Sequence, residues 1–131
     1  MHKLLTLGLF LIVSVILSLS INFNYNLYLN IFAQESEVSI APGAGDPNNI
    51  ETFVPPHISL SSRSTISWTN SDSITHTVTA EGNPVIANGE APFDSGPISP
   101  GYTWDKTFNS PAQFDYHCSI HPFMTGKVVI N

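Results

Sequence analysis

Short runs of alternating apolar and polar residues, each ended by proline, glycine or asparagine, constrain this chain most. From Gln34 onward, proline or glycine interrupts nearly every window in which a helix would form. A strand needs only a few residues between such breaks, and its side chains alternate between two faces. Glu37–Ile40, Glu51–Val54, His57–Leu60 and Ser64–Asn70 are therefore expected as strands, followed by Thr75–Ala80, Tyr102–Phe108, Ala112–Cys118 and Lys127–Ile130. Pro42–Asn49 and Glu81–Pro100 read as loops. In the clearest run, Ile66, Trp68 and Asn70 share one face; near the end, Phe114, Tyr116 and Cys118 share another. Trp68 and Trp104 are expected in the core. Seven or eight short strands in one domain predict an all-β fold, an antiparallel Greek-key β-sandwich.

The first 33 residues are of another kind. Lys3 precedes an uncharged apolar run from Leu4 to Ile21, and Ile31-Phe32-Ala33 offers a small residue before Gln34. A basic start followed by an apolar run reads as an export signal, or as a membrane anchor through residues 4–21 if it is retained. Residues 34–131 are then the folded domain, placed outside the cytoplasm. Removing 33 of 131 residues leaves 98, enough for one modest core. Three bases then face ten acids, a net charge of −7. That balance excludes a nucleic-acid partner, which would need a clustered basic surface.

Cys118 is the sole cysteine, so no intramolecular disulfide forms. Outside the cytoplasm a lone thiol is a liability unless something uses it. Cys118, His121 and Met124 follow one another at intervals of three. Thiolate, imidazole and thioether around one point, with one more nitrogen, make a His₂Cys set with a weak axial methionine, which selects copper. His76, at the start of a strand after Asn70-Ser71-Asp72-Ser73, is the candidate for that nitrogen. Three other readings of these residues stand beside it. Zinc takes four strong ligands and has little use for methionine. A Cys–His nucleophile needs a cleft. The bland reading is a buried cysteine, a surface histidine and a core methionine. His117 neighbours Cys118, so alternation turns it to the opposite face. His57 follows Pro55-Pro56 and is expected at the surface.

At these residues the chain resembles the cupredoxins, and among them the plastocyanin/amicyanin type. The match runs through Tyr116-His117-Cys118-x-x-His121-Pro122-x-Met124-x-Gly126-x-Val128. It continues in Thr65-Ile66-x-Trp68-x-Asn70-x-Asp72 with His76 and Val78, and in Phe93-Asp94-Ser95-Gly96 with Gly101-Tyr102 and Phe108. The Cys-x₂-His-x₂-Met spacing looks like amicyanin; plastocyanins and pseudoazurins place two more residues between His and Met.

The resemblance implies one copper ion per chain, cycling between Cu(II) and Cu(I). Its equatorial ligands would be His76, Cys118 and His121, with Met124 axial. Asn70 would tie the two ligand-bearing loops together and hydrogen-bond near the thiolate. The edge of His121 would be the electron exit, inside an apolar docking patch containing Pro122 and Phe123, with Pro84 or Pro92 beside it. The implied function is transient one-electron transfer between a redox-protein donor and acceptor, by a monomer. A copper-storage module is the alternative, although storage would favour more Met or Cys ligands. A copper oxidase or nitrite-reductase enzyme would need a second copper centre with more histidines, so no enzyme activity is expected. Arg63 and Ala112 stand where the family commonly has glycine, and Phe114 where it has tyrosine. If the turn at Arg63 needs a positive φ, arginine there is strained.

Overall fold

The computed structural model describes residues 35–80 and 90–131, all within the unit Ala33–Asn131. The expected signal or anchor, and Pro84 of the expected docking patch, lie outside the described residues. Nine strands occur among the described residues: β1 (Glu35–Ile40), β2 (Phe53–Val54), β3 (His57–Leu60), β4 (Ser64–Asn70), β5 (Thr79–Ala80), β6 (Phe93–Asp94), β7 (Thr103–Phe108), β8 (Ala112–His117) and β9 (Thr125–Ile130). They form two sheets, ordered β2-β1-β4-β7 and β3-β9-β8-β5-β6.

Alternation does what the sequence demands. In β4 the buried residues are Ser64, Ile66, Trp68 and Asn70; in β8 they are Ala112, Phe114 and Tyr116; in β9 they are Gly126, Val128 and Ile130. These inner faces meet in an aromatic core. Trp68 lies 5.4 Å from Trp104 and 5.7 Å from Tyr116 between ring centroids, and Phe53 meets Tyr116 edge-on at 4.9 Å. Trp68 is wholly buried and Trp104 partly so. Tyr116 lies directly over Gly126, where a β-carbon would collide with its ring. The glycine here is a matter of space rather than of dihedral freedom.

The all-β sandwich appears as expected, with local differences. Pairing is mainly antiparallel, but β1 with β4 and β3 with β9 run parallel. Each of those pairs joins strands whose chain crosses to the other sheet in between, which no hairpin could do. The extra strand is β6, inside the expected 81–100 loop. The expected strand Thr75–Ala80 shrinks to Thr79–Ala80, with one isolated bridge between His76 and Ile98. The reason is where its donors go. Thr77 N–H points at Cys118 Sγ (3.3 Å) and Val78 N–H donates to Ser95 Oγ (2.8 Å). Side chains have taken the bonds that a ladder would use.

Candidate metal centre

The two elements that matter end at the same edge of the sandwich. β4 stops at Asn70 and leads into the turn carrying Asp72 and His76; β8 stops at His117 and leads into the loop carrying Cys118, His121 and Met124. That loop closes on itself through the backbone of its three candidate ligands. His121 N–H donates to Cys118 C=O (3.1 Å), Met124 N–H to His121 C=O (2.9 Å) and Cys118 N–H to Met124 C=O (3.2 Å). The spacing of three residues read from the sequence is thus also the spacing of successive tight turns.

His76 and Cys118 are wholly buried, as is Met124, and His121 is half-buried. Cys118 Sγ lies 3.7 Å from Nδ1 of His76 and 3.7 Å from Nδ1 of His121. The imidazole rings stand 4.9 Å apart, and the three donors lie within 4.8 Å of one another. An ion bound at about 2.3 Å to sulfur and about 2.0 Å to nitrogen, with angles between tetrahedral and trigonal, sets S and N about 3.5–3.8 Å apart. The donor atoms are therefore spaced for one ion. Among the described residues no other group of three such donors converges. His57 and His117 stay outside the centre, on the far face of the sheet, as alternation required.

The His76 ring is held from behind. Its Nε2 meets Asp72 Oδ2 at 2.9 Å in a buried pair, so the carboxylate accepts a hydrogen bond from Nε2–H and leaves the Nδ1 lone pair toward Cys118. Asp72 also accepts from the backbone N–H groups of Gly43 (2.9 Å), Gly45 (3.2 Å) and Ser73 (2.7 Å). Burial pushes the Asp72 carboxyl up, but the bonds from His76 and these amides outweigh it and hold the group well below the usual carboxylate range. One carboxylate thereby ties the Pro42–Asn49 loop to a candidate ligand. Asp72 carries no signal of this role in the sequence beyond its spacing of four from His76.

Asn70 does not do what the resemblance implied. Its Nδ2 donates to the carbonyls of Ile74 (2.8 Å) and Ile98 (2.9 Å), and its Oδ1 accepts from Asp72 N–H (2.9 Å). It shapes the turn that leads to His76 and makes no bond to the Cys118 loop. Thr77 makes that link instead. Its N–H approaches the sulfur, and its hydroxyl accepts from Ser119 N–H (2.8 Å) and bonds Ser119 Oγ (2.9 Å) and Thr79 Oγ1 (3.0 Å). The alternating run Thr75–Ala80 concealed this role, because a threonine in a strand needs no special explanation.

The family model of the copper-binding proteins of the plastocyanin/azurin family matches residues 41–131. The chain belongs to that family. Amicyanin-alpha of Methylorubrum extorquens is 32% identical over 78 residues, covering 60% of this chain and 63% of the relative, a little under two thirds of its length. Among solved structures, a purple cupredoxin from Nitrosopumilus maritimus superposes with a TM-score of 0.61 at 25% identity, over 73% of this chain and 99% of that one. A reduced amicyanin in which phenylalanine replaces one proline gives a TM-score of 0.59 at 27% identity, over 74% and 82%. The cupredoxin donor set fits one copper ion per chain, with the soft thiolate and two imidazoles that copper takes.

Apolar side chains surround the half-buried His121. Pro122 is exposed and Phe123 is 43% exposed, its ring 6.0 Å from that of His121. Ile74, two residues before His76, and Ile120, next to His121, are exposed as well, and neither is marked by a sequence motif. Pro92 is exposed too.

Proposed function

We propose that this cupredoxin is a one-electron carrier whose single type 1 copper is held by His76, Cys118, His121 and Met124. The observation that carries the reading is the largely buried triangle of Cys118 Sγ with two imidazole Nδ1 atoms, each 3.7 Å away. Bound there, copper would supply a Cu(II)/Cu(I) couple. The chain's own contribution is to resist rearrangement. Asp72 fixes the His76 ring, Thr77 joins the two loops, and the backbone bonds among Cys118, His121 and Met124 keep the second loop closed. A site that moves little between oxidation states exchanges electrons quickly, and no substrate cleft is needed.

The exposed edge of His121 is the exit for the electron, and Ile74, Ile120, Pro122 and Phe123 form the apolar surface on which a redox partner docks. The domain's net charge of −7 favours a basic partner. The Lys3–Ile21 stretch supports export, with the domain acting outside the cytoplasm as a monomer.

The test is the visible and electron paramagnetic resonance (EPR) spectrum of the full chain with one equivalent of Cu(II). An intense thiolate-to-copper band with narrow copper hyperfine splitting, absent in Cys118→Ser, is the expected result. A pale, tetragonal spectrum would contradict it. Fast electron self-exchange would then separate a carrier from a storage protein.

A further inference from the structure

Among the described residues Asp72 is the only buried carboxylate. A neutral acceptor, such as a backbone carbonyl, would orient the His76 ring as well. The chain instead places a charge there, and a buried charge is costly unless something offsets it. Every partner of Asp72 is a donor: His76 Nε2–H and the N–H groups of Gly43, Gly45 and Ser73. Both of its oxygens therefore act as acceptors, as in the ionised group. Among the described residues no lysine or arginine pairs with it; its one ion-pair contact is His76. The counter-charge has to come from the centre in front of that ring.

The charge balance there rests on the proposed copper centre. Imidazoles and thioether are neutral ligands. Cu(II), the Cys118 thiolate and Asp72 then balance to no net charge, whereas Cu(I) in the same place leaves one negative charge. His76, Cys118 and Met124 are wholly buried, so an unbalanced charge is disfavoured there. Asparagine in place of Asp72 reverses the order: Cu(II) leaves one positive charge and Cu(I) leaves none. A carboxylate on Nε2–H also raises the basicity of Nδ1, and Cu(II) draws more than Cu(I) on a nitrogen donor. We propose that Asp72 is a positioning residue whose charge, acting through the His76 ring, favours Cu(II) and holds the reduction potential down. The reduced chain then gives up its electron readily, and a weak oxidant suffices as its acceptor.

The experiment uses the full chain with Asp72→Asn. It reads the reduction potential and, by competition with chelators, the separate affinities for Cu(II) and Cu(I). Zn(II), which has the charge of Cu(II) and no redox chemistry, supplies a third affinity. The expected result is a retained visible band, with Cu(II) and Zn(II) weakened about tenfold relative to Cu(I). Tenfold in that ratio is a rise of about 59 mV in the potential. A merely structural role would weaken all three ions alike and leave the potential where it was, which overturns the proposal. Asparagine has to turn its NH₂ toward some of these donors, so Asp72→Glu is measured beside it and decides the matter if Asp72→Asn does not fold. It displaces the carboxylate but keeps the charge. A potential that stays near that of the unaltered chain supports the proposal; a rise of about 59 mV or more overturns it. An unaltered chain without the intense visible band refutes the copper reading, and this proposal with it. An unaltered chain with the band, and an unmoved potential in Asp72→Asn, refutes only the part given to Asp72.

Discussion

Arg63 holds φ at 70° in the turn between β3 and β4, donating its N–H to Phe108 C=O at 2.7 Å. In that region a β-carbon crowds the following carbonyl, at a cost of about 1 kcal/mol or somewhat more. Arg63→Gly relieves it, partly offset by the greater freedom of glycine in the unfolded chain. The expected outcome is a gain of about 0.5–1 kcal/mol, read as a rise of a few degrees in the thermal midpoint. Tyr116 carries a different cost. Its phenol and the Trp68 indole N–H are both buried without hydrogen-bond partners. Burial pushes the Tyr116 phenol up to about 12, with the Trp68 indole N–H beside it acting in the opposite direction. The folded protein therefore keeps a proton that the unfolded chain releases near pH 10. Stability from this group is complete below pH 10 and falls as pH rises from 10 to 12, by about 2–3 kcal/mol in all. Denaturant titrations across that range should show the loss, and Tyr116→Phe should remove it at no cost in stability at pH 7.

At the scale of elements, the centre depends on an interrupted strand. Had Thr75–Ala80 paired throughout, Thr77 N–H would have bonded a neighbouring strand rather than faced Cys118 Sγ. Thr77 instead joins the His76 segment to the Cys118 loop through Ser119. Thr77→Val keeps the backbone N–H and the shape but leaves Ser119 N–H without its acceptor. Ser119 is exposed, so water can reach that N–H, and the loss is the net worth of an ordinary hydrogen bond, about 0.5–1.5 kcal/mol. The expected outcome is a fall in stability of that size. With the loops less firmly joined, electron self-exchange should slow while the visible band persists. An unchanged exchange rate would mean that the loop's own backbone bonds suffice to hold the site rigid.

At the scale of the molecule, charge and exposure divide the work. Among the described residues the bases are Arg63, Lys106 and Lys127, and the last two are already paired with Glu90 and Asp115. The described residues therefore carry an acidic excess that these pairs do not cancel. Electron transfer to a basic redox protein should slow as salt is raised through 0.15 M, where charges separated by more than about 8 Å are screened. Stopped-flow rates over an ionic-strength series check this; a flat profile would leave docking to the apolar patch of Ile74, Ile120, Pro122 and Phe123 alone.

The β architecture, the inward faces of β4, β8 and β9, and the convergence of Cys118 with His121 are legible in the order of the residues alone. Those features depend on periods of two and three residues, which are local. Long-range packing set the parallel run of two strand pairs, the formation of β6 inside a long loop and the shortening of the Thr75–Ala80 strand to Thr79–Ala80. It also moved the link between the loops from Asn70 to Thr77 and placed Asp72 behind His76. Each of these depends on which distant backbone group or side chain arrives beside a given donor. Alternation along a strand says which face a residue takes, but not which residue of another strand will meet it there.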